Sequence, residues 1–173
     1  MHPASPSAPF LPILFRQDGK EWAVGDIPSL QICKNISNSK KEPHVKTVYF
    51  RDPTKENIEA AAKIIRDGGL LAIPTETVYG LGADALNEDA VLRIFLAKGR
   101  PQDNPLIIHI PGPQWLPRYC EDVPPLAYTL ARKFWPGPLT MILKRKPIVP
   151  DATTAGLDTV GVRCPDHQVT LSI

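Results

Sequence analysis

The chain has 173 residues, with 20 basic and 18 acidic side chains and a formal charge of +2. That is room for one domain with a real core and too little for two well-built ones. Apolar residues make up 43% and charged residues 22%, which argues against collagen, coiled coil and wholesale disorder, and so small a basic excess does not by itself mark a nucleic-acid binder. Twenty prolines, nearly one residue in nine, are more than twice the usual share of about 5%. No run approaches the ~20 apolar residues of a membrane span. Cys33, Cys120 and Cys164 are odd in number, far apart and without a C-x-x-C pair. They argue against a zinc knuckle or a disulfide framework and for a reducing, intracellular setting. The start lacks the basic, apolar and small-residue order of a secretory signal. Arg16 is the one arginine in the first 45 residues, a poor basis for a mitochondrial presequence. The cytoplasm is the expected location, with the mitochondrion left open.

Residues 1–45 hold Pro3, Pro6, Pro9, Pro12, Pro28 and Pro43 and a polar run from Asn35 to Glu42. No helical or strand period lasts there, so this stretch reads as a disordered or loosely attached leader to a domain at 46–173. Thr47 to Phe50 is β-branched and aromatic, the composition of a short strand. Asp52 followed by Pro53 reads as a helix N-cap with proline at the first helical position. Ile58, Ala61, Ala62 and Ile65 then recur at helical spacing until Gly68-Gly69. Leu70 to Ile73 has strand length. Asn87 caps a second helix with Glu88 and Asp89 in its first turn and an apolar stripe of Val91, Leu92, Phe95 and Leu96. Leu106 to Ile110 predicts a strand, Pro124 to Trp135 a helix, and Leu139 to Leu143 and Val160 to Arg163 two more strands. Asp166 could cap a last helix near His167. This alternation predicts an α/β domain around one sheet.

Four segments could carry chemistry. Pro74-Thr75-Glu76-Thr77-Val78-Tyr79-Gly80-Leu81-Gly82 leaves a strand end, where α/β proteins place ligands. Its three hydroxyls (two Thr, one Tyr) and one carboxylate suit a polar ligand, and equally a turn whose threonines satisfy local backbone groups. Gly80-x-Gly82-x-x-Ala85 is only a weak dinucleotide match, and no G-x-x-x-x-G-K-[ST] loop exists. Lys98-Gly99-Arg100-Pro101-Gln102-Asp103-Asn104 sets two cations two residues apart. In extended chain both point one way and could grip one anion; alternatively Lys98 complements a helix C-terminus and Arg100 is solvated. Trp135-Pro136-Gly137-Pro138 reads as a rigid turn into a strand. In Thr159-Val160-Gly161-Val162-Arg163, alternation places Thr159, Gly161 and Arg163 on one face, the setting of a carboxylate or phosphate clamp or of a surface arginine. Lys144-Arg145-Lys146 could touch RNA phosphates or form a solvated strand end.

In this order, Pro74–Gly82, Lys98–Leu106, Phe134–Leu143 and Val160–His167 resemble the YrdC-like family, whose main members are threonylcarbamoyl-AMP synthases. The resemblance runs from about residue 46 to the last residue. It implies a twisted mixed α/β sheet with flanking helices and a concave basic face. It also implies a nucleotidyltransferase that joins L-threonine, bicarbonate and ATP, with Mg²⁺, into threonylcarbamoyl-AMP and pyrophosphate. A separate transfer complex would then modify adenosine 37 of tRNA. Carried over by motif position, Lys98 and Arg100 are the catalytic cations. Arg100, Asn104 and Thr159 contact ATP. Thr77, His109 and Arg163 hold L-threonine, with Arg163 on its carboxylate. No metal ligand is implied among these residues.

The family's Ser-x-Asn motif lies beyond the V-R-x-P-D-H segment, and Ile173 follows Arg163 by ten residues without it. The expectation is therefore a domain lacking its C-terminal part, with activity of the 173-residue form in question. The alternative is an inactive truncated module that binds double-stranded RNA or tRNA through Lys98, Arg100, Lys144 to Lys146 and Arg163. A carbamoyl-transferring maturation factor is disfavoured, because the first 45 residues hold no C-x-x-C.

Overall fold

The computed structural model describes residues 47–99 and 101–173. The leader predicted at 1–45 and the cation Arg100 lie outside them. Thr47 to Phe50 belongs to no strand, and Val48 and Tyr49 are exposed. A β-branched, aromatic stretch fits a pleated, half-buried surface; without such a neighbour it forms no ladder.

Helix α1 spans Lys55–Arg66 and is capped by Thr54, whose Oγ1 accepts from Asn57 N at 3.3 Å. The cap therefore falls two residues after the expected Asp52, whose carbonyl instead accepts from Asn57 Nδ2 at 2.9 Å. Ala61 and Ala62 form its buried stripe, and Gly68, at φ 77°, ends it in a conformation that favours glycine. Strand β1 (Leu71–Ile73) pairs antiparallel with β2 (Gly80–Gly82), with Leu71 opposite Gly82 and Ile73 opposite Gly80. The threonine-rich segment is thus the tip of a hairpin. Helix α2 (Glu88–Lys98) starts at Asn87, whose Oδ1 accepts from Ala90 N at 3.1 Å, and ends at Gly99 in the left-handed region. It buries Ala90, Val91, Ile94 and Phe95.

Strand β3 (Ile107–His109) is followed by a 3-10 turn at Pro113–Trp115, a short helix α3 (Leu116–Tyr119) and helix α4 (Pro125–Phe134). Then come β4 (Met141–Lys144), a one-turn helix α5 (Asp151–Thr154), β5 (Thr159–Arg163) and α6 (Gln168–Ser172). Strand β5 is central: β3 runs parallel to it and β4 antiparallel. The architecture is mixed α/β as expected, but the described strands form two sheets, not one. The second sheet packs one face on Ala127, Ala131 and Trp135 from α4 and its end, with Ile108, Met141, Val160 and Val162 buried from the sheet side. Ile110, Leu116, Cys120, Val149 and Cys164 complete this core. None of the helices described is long and apolar enough to cross a membrane.

Candidate functional site

Strand β5 alternates as its sequence predicts. Val160 and Val162 are buried, while Thr159, Gly161 and Arg163 are half-buried on the opposite face. His109 is the register partner of Arg163. Neighbouring strands lie about 4.8 Å apart, so the imidazole and the guanidinium arise side by side on one face. Gly161 keeps that face low between them and Thr159: a Cβ there would come within 3.3 Å of Thr140 Cγ2 and 3.5 Å of Ile107 Cγ1.

One backbone turn and one carboxylate fix the Arg163 side chain. Its Nε donates to Gly137 O at 3.3 Å, and its Nη2 donates to Glu76 Oε1 at 2.5 Å. Gly137 N in turn donates to Cys164 O at 2.8 Å, so the Trp135–Pro138 turn grips the end of β5 twice. Glu76 Oε2 accepts from the Asp166 amide at 3.1 Å. The Thr170 hydroxyl donates to Pro74 O, a second tie between the hairpin tip and α6. The ion pair is partly shielded: the side chains are 13% exposed for Arg163 and 19% for Glu76, while Glu76 as a whole residue lies at the exposed hairpin tip. Burial pushes the Glu76 carboxyl up, but its own amide, the Arg163 guanidinium and the Asp166 amide together hold it below the ordinary value. Burial holds the His109 imidazole below its ordinary value; a hydrogen bond with Ile107 O opposes this, the Arg163 charge adds to it, and the Glu76 charge partly offsets it. At neutral pH the cluster is therefore Arg⁺, Glu⁻ and neutral His.

The structure brings two of the three residues assigned to L-threonine side by side and sets the third in a neighbouring loop. His109 and Arg163 are register partners, and Thr77 follows Glu76 in the hairpin tip that touches Arg163. Thr75 shows the local role: its Oγ1 accepts from Thr77 N and Val78 N and donates to Val78 O at 2.6 Å. Thr77 Oγ1 lies 3.1 Å from Thr75 Oγ1 on the exposed side. Thr159 lies four residues back along β5, roughly 13 Å from Arg163 at about 3.3 Å per residue. Lys98 ends α2 and is exposed. Asn104 is exposed, its Nδ2 donating to Asp103 at 3.2 Å. The segment leading into β3 is held by buried Thr153, which accepts Leu106 N on its carbonyl and donates its hydroxyl to Ala85 O.

Sequence reasoning missed Glu76, Gly137 and Thr153 as positioning groups. For Thr153 a signal existed: Pro150 before Asp151 and Gly156 beyond mark a short helix. For the Glu76–Arg163 pair none did, since 87 residues separate the partners. Asp166 is not the cap of α6. The N-cap position is His167, which makes no side-chain cap bond, while the Asp166 amide serves Glu76. The basic run 144–146 is built into the fold. Lys144 pairs with Glu121 at 2.8 Å, Arg145 donates to Leu157 O, Val149 O and Asp151, and Lys146 Nζ donates to Pro117 O at 2.6 Å.

A family model named for Sua5, YciO and YrdC, and described as Telomere recombination, matches residues 63–173. The chain belongs to the Sua5/YciO/YrdC family. It is 56% identical over 116 residues to the Threonylcarbamoyl-AMP synthase of Pyrococcus abyssi, covering 67% of this chain and 34% of that protein. Against the Bacillus subtilis protein of the same name the values are 48% over 132 residues, 72% and 38%. A crystal structure of P. abyssi Sua5 complexed with L-threonine matches with a TM-score of 0.67 and 52% identity, covering 72% of this chain and 36% of that one. The chain therefore spans little more than a third of the length of these relatives.

Proposed function

We propose that this chain acts as an L-threonylcarbamoyladenylate synthase, with an amino-acid pocket at one end of β5 and a nucleotide site toward the other. The observation that carries the reading is the Arg163–His109 register pair, held by Glu76 and Gly137 beside Thr77. Support comes from the P. abyssi relative, whose solved complex contains L-threonine. In this reading Arg163 takes the amino-acid carboxylate with bidentate geometry. The neutral His109 and the Thr77 hydroxyl take the substrate hydroxyl, and a site built for an OH rejects analogues that lack it.

Threonine's amine and bicarbonate form the N-carboxylate with loss of water. Its carboxylate oxygen attacks the α-phosphorus of ATP, the new P–O bond forms, and pyrophosphate leaves with the broken one. The protein's part is to bring two anions together and neutralise charge on phosphorus. Lys98 and Arg100 do so, with Arg100, Asn104 and Thr159 on the nucleotide. Magnesium enters with the substrate, as Mg-ATP. The product serves tRNA threonylcarbamoylation, in the cytoplasm or the mitochondrion.

The test supplies the chain with Mg-ATP, bicarbonate and L-threonine and follows threonylcarbamoyl-AMP by mass spectrometry. Threonine-dependent product, with little from serine, is expected; folded chain that makes none overturns the reading. Lys98→Ala with Arg100→Ala removes charge-assisted bonds worth about 1.5–3 kcal/mol each. It is expected to weaken Mg-ATP binding at least tenfold, and unchanged affinity would rule out the phosphate role.

A further inference from the structure

We propose that Glu76 is a specificity-determining residue of the amino-acid site: its carboxylate, carried on Arg163 and the Asp166 amide, makes this a site for a zwitterion and not for a simple carboxylate anion. The proposal rests on the reading of Arg163 as the carboxylate clamp.

The argument is a charge count in a partly shielded place. Arg163 contributes +1 and Glu76 contributes −1, their side chains are 13% and 19% exposed, and the neighbouring His109 is neutral. The empty cluster is thus neutral. A ligand carboxylate on Arg163 adds a negative charge next to Glu76, and an uncompensated charge in a poorly solvated site is costly. An α-ammonium on the same ligand cancels it. Glu76 has capacity to receive that group: each of its oxygens takes one N–H in the structure, and a carboxylate oxygen has two lone pairs. An alternative is that Glu76 merely pins the hairpin tip to the end of β5. The Thr170–Pro74 bond already anchors the hairpin tip, to α6, without it.

The experiment measures affinities of the 173-residue chain for L-threonine and for 3-hydroxybutyrate, which is threonine without its amine, by calorimetry. The wild-type chain is expected to prefer threonine at least tenfold. Glu76→Gln keeps the size and leaves the site positive, so the preference is expected to shrink at least fivefold, chiefly through gained affinity for hydroxybutyrate. A merely pinning role would weaken both ligands together and leave the ratio unchanged, which overturns the proposal while the carboxylate clamp stands. A wild-type chain that binds neither ligand overturns the clamp itself, and this proposal with it. If Glu76→Gln shows no cooperative melting, Glu76→Asp decides: the retained charge should retain the preference, and a lost preference contradicts the proposal.

Discussion

At the scale of single residues, the candidate site is a set of constraints on one guanidinium. Gly137 shows how tight they are. A Cβ on it would lie 2.6 Å from Phe134 O, a backbone atom that cannot swing away. Gly137→Ala should therefore shift the turn that receives Arg163 Nε, at a cost of about 1–3 kcal/mol. Urea denaturation reads that loss, and threonine affinity should fall with it; a variant as stable as wild type would mean that the turn relaxes freely.

The ionisable groups give a second residue-scale prediction. An unfolded histidine takes a proton near its ordinary value of 6.5, whereas folded His109 does so only at lower pH. Between those values the unfolded chain binds more protons, so stability falls as pH falls. Glu76 adds to the same slope further down: its folded carboxyl titrates below the ordinary 4.5, so its contribution is complete above that value and is lost on acidification. The melting temperature should drop from pH 7 toward pH 5, and His109→Gln should flatten the upper part of that drop. An unchanged profile in the variant would show that another group carries it.

At the scale of elements, what could be read from the chain followed from period and punctuation. Helix α2 was legible because Asn87, two acids and Gly99 agree on its ends, but its buried face is Ala90, Val91, Ile94 and Phe95, so of the expected stripe Leu92 is only half-buried and Leu96 is exposed. Strand β5 was legible because alternation alone assigns its faces. The start of α1 was not, since Asp52 and Thr54 are both good caps and packing of Ala61 and Ala62 selects the frame. Thr47 to Phe50 had strand composition but no partner strand. Hairpin β1–β2 escaped notice because Gly80 and Gly82 read as loop residues. The pairing of Glu76 with Arg163 escaped for a different reason: it belongs to tertiary structure alone. Elements also differ in what they support. Leu116, in the four-residue α3, is fully buried against the sheet core. Leu116→Ala should cost about 2–5 kcal/mol. A smaller loss in chemical denaturation would show that the core collapses into the space.

At the scale of the whole molecule, the sheet β3-β5-β4 has one buried face and one more open face. Core residues fill the first. The second carries His109, Gly161, Thr159 and Arg163, and also exposed Ile107 and Ile142. The basic run 144–146 lies at the end of β4 but spends its donors on Glu121, Asp151 and main-chain carbonyls. This leaves the Arg163 end of β5 as the place where the Trp135–Pro138 turn, a hairpin tip and two strands converge on a charged pair, within a chain that matches a little over a third of the length of its synthase relatives.

The most direct test of that assignment is a titration of the chain with L-threonine, followed by NMR at the His109 ring and the Arg163 Nε–H, in wild type and in Arg163→Lys. Lysine keeps the charge and loses the fork geometry. The account predicts that both signals move on binding in the wild-type chain and that Arg163→Lys binds threonine at least tenfold more weakly. Equal affinity in the variant, or binding that leaves the His109 ring unmoved, would contradict it.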